Sequence, residues 1–111
     1  MSGITTHVLD LTRGKPAAGM GVLLSARSGE GWRELARGTT DADGRASLAI
    51  EDPLRTSTYR LRFETGDWFR GAGIKGFWPH VEIAFDITEP TRHHHVPLLL
   101  SPYGDTTYRG S

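Results

Sequence analysis

The sequence has no cysteine, no net charge and no long apolar run, and each absence argues against a class of protein. With no cysteine among 111 residues, the chain cannot contain a disulfide framework, a thiol nucleophile or a cysteine-ligated metal. Small secreted domains often depend on disulfides, so this composition favours the cytoplasm. The 13 basic and 13 acidic side chains cancel, which leaves no general field to attract nucleic acid or an anionic membrane.

Membrane and nucleotide signals are missing as well. The first residues do not combine a basic segment with an apolar one, as a signal peptide would, and no stretch approaches the roughly 18 apolar residues of a membrane helix. Neither a glycine-rich phosphate loop nor a G-x-S-x-G nucleophile motif is present. A chain of 111 residues is the size of one domain, so we expect a single cytoplasmic domain over residues 1–111, with no nucleic-acid or membrane partner.

What the sequence does contain is a series of short strand-like segments separated by glycine, proline and aspartate. Apolar and charged side chains alternate in residues 58–64 and 81–87, as in strands with one dry and one solvated face. One short helix is predicted within residues 67–75, although Gly71 and Gly73 weaken it. Further strands are predicted at residues 4–11, 20–27, 32–37, 46–50, 93–101 and from 105 towards 108. Seven or eight strands at near-regular spacing are typical of a β-sandwich.

Histidines provide the candidate chemistry. Alternation in the first strand places His7 on one face with Thr5 and Leu9. In the strand near the C-terminus, His93 and His95 share a face and the histidine between them points away. Paired imidazoles can act as acid–base groups near neutral pH or bind a divalent metal. A structural zinc site would need two more ligands, for which His7, His80 and the carboxylates are the candidates.

The C-terminus is the third candidate feature. A strand is predicted to run almost to the last residue, whereas chain ends are usually frayed. If this end is held down, the Ser111 hydroxyl, the terminal carboxylate and Arg109 become fixed polar groups. Composition alone does not decide this.

Several motifs together resemble the transthyretin-like family. They are T-H-V-L-D (6–10), G-K-P-A (14–17), T-D-A-D-G-R (40–45), H-V-P-L-L-L-S-P-Y-G (95–104) and T-Y-R-G-S (107–111). The resemblance extends from residue 4 to the end of the chain. The terminal Y-R-G-S is typical of the hydrolase branch of that family, in contrast to its thyroid-hormone carriers.

The resemblance implies an all-β fold, with two four-stranded antiparallel sheets packed as a sandwich and one short helix. It also implies a homotetramer with active sites in the channel where two dimers meet. The reaction that it implies is hydrolysis of 5-hydroxyisourate to 2-oxo-4-hydroxy-4-carboxy-5-ureidoimidazoline during urate degradation, without a metal or another cofactor.

The resemblance further implies a set of functional positions. His7, His95 and Ser111 would hold and deprotonate the attacking water, and Arg45 would stabilise the oxygen on which negative charge develops. Substrate binding would involve His7, Arg45, Tyr108, Arg109 and Gly110. The sequence departs from the family pattern at His94 and Asp105, where aromatic residues are common, and these departures concern packing.

Two other functions remain open at this stage. A transthyretin-like carrier of a small aromatic ligand would use the same fold and tetramer without catalysis, but it has no use for a channel lined by histidines and an arginine. A metal-binding sandwich would use His7, His93 and His95.

Overall fold

In the computed structural model, which describes residues 3–110, the chain forms two packed β-sheets and one short helix. The predicted all-β sandwich is therefore confirmed. The elements in chain order are β1 (Ile4–Asp10), β2 (Lys15–Pro16), β3 (Gly21–Ser28), β4 (Gly31–Thr39), β5 (Arg45–Leu48), β6 (Ser57–Phe63), α1 (Thr65–Gly71), β7 (Val81–Ile87), β8 (His94–Ser101) and β9 (Gly104–Thr107).

The first sheet is organised around β1. Strand β8 pairs with one edge of β1 and is followed by β9, while β5 and β2 pair with the other edge. The sheet therefore has five strands but is four strands wide. Its β1–β8 pair is parallel, which differs from the expected antiparallel arrangement. Alternation reveals which side chains share a face, but it carries no information on the direction of a partner strand that lies far away in the sequence.

The second sheet has the order β4-β3-β6-β7 and is antiparallel throughout, as expected. The helix that follows β6 begins and ends earlier than residues 67–75. It ends before Gly73, which adopts a φ of 72° in the left-handed region common just after a helix. Within residues 3–110, no helix is long and apolar enough to cross a membrane.

The core lies between the two sheets and includes inward-facing strand side chains that alternation predicted, together with residues of the loops and the helix. In β1, Ile4 and Val8 are buried, and in β3 Val22, Leu24 and Ala26 are buried. The opposite face of β1 is only half-buried in this chain. Burial of one face of β1 thus directs His7 to the outside of the sandwich.

His94 is one of the buried polar residues. It is 5 % exposed, and its Nδ1 has no hydrogen-bond partner within the described part of the chain. Burial lowers the pKa of His94, and the positive charge of Arg109 adds to this effect. His94 was expected to point away from His93 and His95, towards the interior or an edge, and its burial agrees with this expectation. Its ring is an incompletely hydrogen-bonded polar group.

We expect His94→Phe to stabilise the protein by about 1 kcal/mol near neutral pH, because the substitution removes a buried, unpaired polar atom. Since the pKa of His94 is lower in the folded chain than in the unfolded one, folding releases a proton. Above the pKa of His94 in the unfolded chain, His94 is neutral in both states and its titration costs no stability. As the pH falls below that value, the unfolded chain binds the proton more readily, so the free energy of unfolding decreases.

The variant should therefore lose less stability than the parent protein between pH about 7 and about 5. Urea denaturation at both pH values measures this difference. Equal acid sensitivity of the two proteins would contradict the prediction.

Candidate active site

The register of β1 brings His7 and Arg45 together on the outer face of the first sheet. His7 lies directly opposite Arg45 in the antiparallel pair with β5 and opposite Pro97 in the parallel pair with β8. Directly opposed residues have Cβ atoms roughly 4.5–5.5 Å apart. His7 is half-buried and Arg45 is exposed, so the imidazole and the guanidinium are both accessible to a ligand.

A tight turn before β5 holds Arg45 in this position. The Asp41 Oδ1 accepts hydrogen bonds from the backbone N–H groups of Asp43 at 2.9 Å and Arg45 at 3.0 Å. The Val8 N–H donates to the Gly44 carbonyl at 2.8 Å. Gly44 has a φ of 77°, and a Cβ there would lie 2.4 Å from the Val8 oxygen. Only glycine permits this close approach, which ties the turn to β1 beside His7.

His95 joins the same face from β8. It lies opposite Thr5 in the β1–β8 register, and its ring Nδ1 is 2.8 Å from the Thr5 Oγ1. The same oxygen is 2.8 Å from the Nε2 of His93. The prediction that His93 and His95 share a face is confirmed. Thr5 was not predicted as a site residue. Its shared face with His7 was visible in the sequence, but the register that sets it against His95 was not.

The electrostatic surroundings of His95 favour the neutral imidazole. Burial lowers the pKa of His95, and the charge of Arg45 and the neighbouring His7 and His93 rings lower it further, against a raising effect from a hydrogen bond with the Thr5 backbone. A lowered pKa keeps the ring unprotonated, and so able to accept a proton, at a lower pH than a free imidazole.

The end of the described chain returns to His95. The Gly110 N–H donates to the His95 carbonyl at 2.8 Å, forming a bridge beyond the last residue of β9. A Cβ at Gly110 would lie 2.6 Å from the His95 Cδ2. The expected close backbone approach at Gly110 is thus present. Ser111, a predicted catalytic residue, lies outside the described residues.

Tyr108 and Arg109 connect β9 to this bridge, and both are exposed. They line a cavity of about 240 Å³ that also contacts His94, His95 and Phe85. The charge of Arg109 acts on His94. In the single chain, therefore, His7, Arg45, His95 and Gly110 share one face, whereas Arg109 lies with His94 at the edge between the two sheets.

The histidine-based metal site gains no support from this geometry. Among residues 3–110 there is no group of three or more His, Cys, Asp or Glu side chains arranged to hold a metal ion. His93 and His95 are connected through the Thr5 hydroxyl.

Known proteins resemble the chain along its whole length. A hydrolase from Caulobacter vibrioides, named 5-hydroxyisourate hydrolase, is 50 % identical over 115 residues, with 100 % of both chains covered. Among solved structures, 5-hydroxyisourate hydrolase from Klebsiella pneumoniae is 42 % identical, with a TM-score of 0.88 and 100 % of both chains covered.

Sea bream transthyretin, solved with thyroxine, has a TM-score of 0.90 and is 32 % identical, with 97 % of this chain and 94 % of that chain covered. The family model described as HIUase/Transthyretin matches residues 4–110. With the sandwich, the register of β1 and the full-length similarity in agreement, the chain belongs to the HIUase/Transthyretin family.

Proposed function

We propose that this protein catalyses the hydrolysis of 5-hydroxyisourate to 2-oxo-4-hydroxy-4-carboxy-5-ureidoimidazoline in urate degradation. The observation that carries the proposal is the placement of His7, Arg45 and His95 on one face of the first sheet. Two imidazoles and a guanidinium suit a planar substrate rich in carbonyl groups. The 50 % and 42 % identity to named 5-hydroxyisourate hydrolases supports the same reaction.

In the proposed mechanism, His7 and His95 hold a water molecule and remove a proton from it, with Ser111 assisting. The resulting hydroxide adds to a carbonyl carbon of the six-membered ring, and the negative charge that develops on the carbonyl oxygen is stabilised by Arg45. Collapse of this intermediate breaks the ring C–N bond, and the proton passes to the leaving nitrogen. The lowered pKa of His95 suits its role as the proton acceptor near neutral pH.

Substrate positioning is assigned to Tyr108, Arg109 and Gly110 together with His7 and Arg45. Gly110 supports this assignment because its missing side chain leaves the space beside the His95 ring open. Tyr108 has 56 % of its surface exposed, so its ring is available for hydrogen bonding or stacking. No step of this mechanism requires a metal or an organic cofactor.

We further propose that the protein is a homotetramer whose active sites lie where two dimers meet. The face that carries His7 also carries the half-buried side chains of Leu9 and Leu99, and Leu11 beside it is 57 % exposed. An apolar surface around a polar site is best covered by a second copy of the chain.

Light scattering should give about four times the mass of one chain; a stable monomer would contradict this assembly.

A carrier function is the competing possibility, because sea bream transthyretin binds thyroxine on the same fold. The hydrolase is favoured because the candidate site presents polar groups suited to activating water.

Purified protein should accelerate the loss of ultraviolet absorption of freshly prepared 5-hydroxyisourate above its spontaneous decay. His7→Gln and Arg45→Met should each lower kcat/KM by about 100-fold or more, because each removes a group that contacts the reacting atoms. Arg33→Met is the matched control, since Arg33 is an exposed arginine on β4 of the opposite sheet. Wild-type protein that does not accelerate the decay, or variants as active as the control, would contradict the proposed function.

Gly110→Ala tests the role of the chain end. The added Cβ would lie 2.6 Å from the His95 Cδ2, so the ring must move and kcat should fall while the fold is retained. Gly104→Ala is the control, because its nearest contact would be the Ser101 Oγ at 3.7 Å. Steady-state kinetics and thermal unfolding distinguish the two variants. Unchanged kinetics in Gly110→Ala would argue against a site beside this residue.

A further inference from the structure

The hydroxyl of Thr5 lies between two histidine rings. Its Oγ1 is 2.8 Å from the Nε2 of His93 and 2.8 Å from the Nδ1 of His95. A hydroxyl group has one hydrogen, so it donates to one ring and accepts from the other. Satisfying both contacts therefore couples the tautomers of the two histidines through a single proton.

Two arrangements of this proton satisfy both contacts. In the first, Thr5 donates to the His93 Nε2 and accepts from the N–H at the His95 Nδ1, so the His95 Nε2 carries a lone pair. In the second, Thr5 donates to the His95 Nδ1, so the His95 Nε2 carries the hydrogen. Only the first arrangement leaves His95 able to take a proton at Nε2.

The surroundings of the two rings favour the first arrangement. His93 is exposed, so the N–H at its Nδ1 can bond to water. His95 is half-buried and experiences the positive charge of Arg45. A neighbouring guanidinium favours the tautomer in which the free nitrogen presents a lone pair instead of another positive N–H dipole.

We propose that Thr5 and His93 are positioning residues that hold His95 as its Nδ1–H tautomer, leaving Nε2 as the proton acceptor. The catalytic consequence rests on the proposed hydrolase function, whereas the tautomer does not. When Nε2 takes a proton from water, the Nδ1–H bond to Thr5 persists, so the ring does not have to turn. A base whose second nitrogen is oriented by another group is a recurring arrangement in enzymes.

The tautomer of His95 is measured by ¹⁵N NMR of the histidine side chains at pH about 8, where ordinary histidines are neutral. In the wild-type protein, the hydrogen should be on Nδ1 of His95. Thr5→Val keeps the β-branched shape that suits a strand but removes the hydroxyl. In this variant, the fraction of His95 that carries its hydrogen on Nδ1 should fall below that of the wild type, because Nδ1 loses the Thr5 hydroxyl as a hydrogen-bond acceptor while Arg45 is unchanged. Thr5→Ser should restore the wild-type fraction.

Thr6→Val is the matched control. Thr6 neighbours Thr5 in β1 but faces the interior, where its hydroxyl donates to the Val96 carbonyl at 2.6 Å. This variant also loses one threonine hydroxyl from β1, but it should keep the wild-type tautomer of His95.

The kinetic measurement links the tautomer to the reaction. Thr5→Val should lower kcat by about 10- to 100-fold, by analogy with the loss of a group that orients a metal-bound histidine. KM should change little, because the proposed substrate contacts are made by His7, Arg45 and the terminal residues and not by Thr5. Thr5→Ser should recover most of kcat, and Thr6→Val should retain it.

A hydrogen on Nε2 of His95 in the wild type, or an unchanged tautomer in Thr5→Val, would overturn the proposal. If Thr5→Val does not fold, His93→Phe provides the test at an exposed position. It removes the His93 Nε2 that accepts the Thr5 hydrogen, so Thr5 can donate to the His95 Nδ1 and the fraction of His95 with a hydrogen on Nδ1 should fall. Wild-type protein that shows the Nδ1–H tautomer but no hydrolysis would reject the proposed function and leave the positioning intact. A tautomer change in Thr5→Val with unaltered kcat would overturn the catalytic role of this positioning.

Discussion

The pairing of β1 with β5 on one edge and β8 on the other is the constraint on which the candidate site depends. A one-residue shift of either partner would turn its side chains to the opposite face. Two features of the inner face oppose such a shift. Ile4 and Val8 are buried in the core, and the buried Thr6 hydroxyl is bonded to the Val96 carbonyl across the β1–β8 pair. The packing of the interior thereby determines which polar groups meet outside it.

Backbone contacts then refine the outer face. The turn at Gly44 approaches Val8 so closely that no side chain fits, which sets Arg45 beside His7. At the other end of the face, Gly110 lies against the ring of His95. In both places a glycine is needed because of a close approach between backbone and neighbouring atoms, and both contacts bring a chain segment to a candidate catalytic side chain.

Alternation in the sequence predicted the faces of the strands well, because burial on one side leaves a period of two that is visible without a structure. The common face of His93 and His95, with His94 pointing away from it, follows from alternation. For His7, alternation allowed the outward orientation that its catalytic assignment requires. The resemblance to the transthyretin-like family supplied Arg45 and the terminal residues, which periodicity alone does not single out.

Contacts between distant segments could not be obtained in the same way. The parallel direction of β8 and the contact of Thr5 with two histidines depend on pairing between residues about 90 positions apart. Arg109 is a further example, since its place beside His94 depends on how the chain leaves β9. The sequence therefore reveals which residue types are available, while the register decides which of them act together.

The most direct measurement is a crystal structure of the protein soaked with urate, a stable planar relative of the proposed substrate. We expect urate to bind on the outer face of the first sheet, in contact with His7, Arg45 and His95. Urate bound only in the cavity between Phe85 and Tyr108, away from His7 and Arg45, would contradict the central claim.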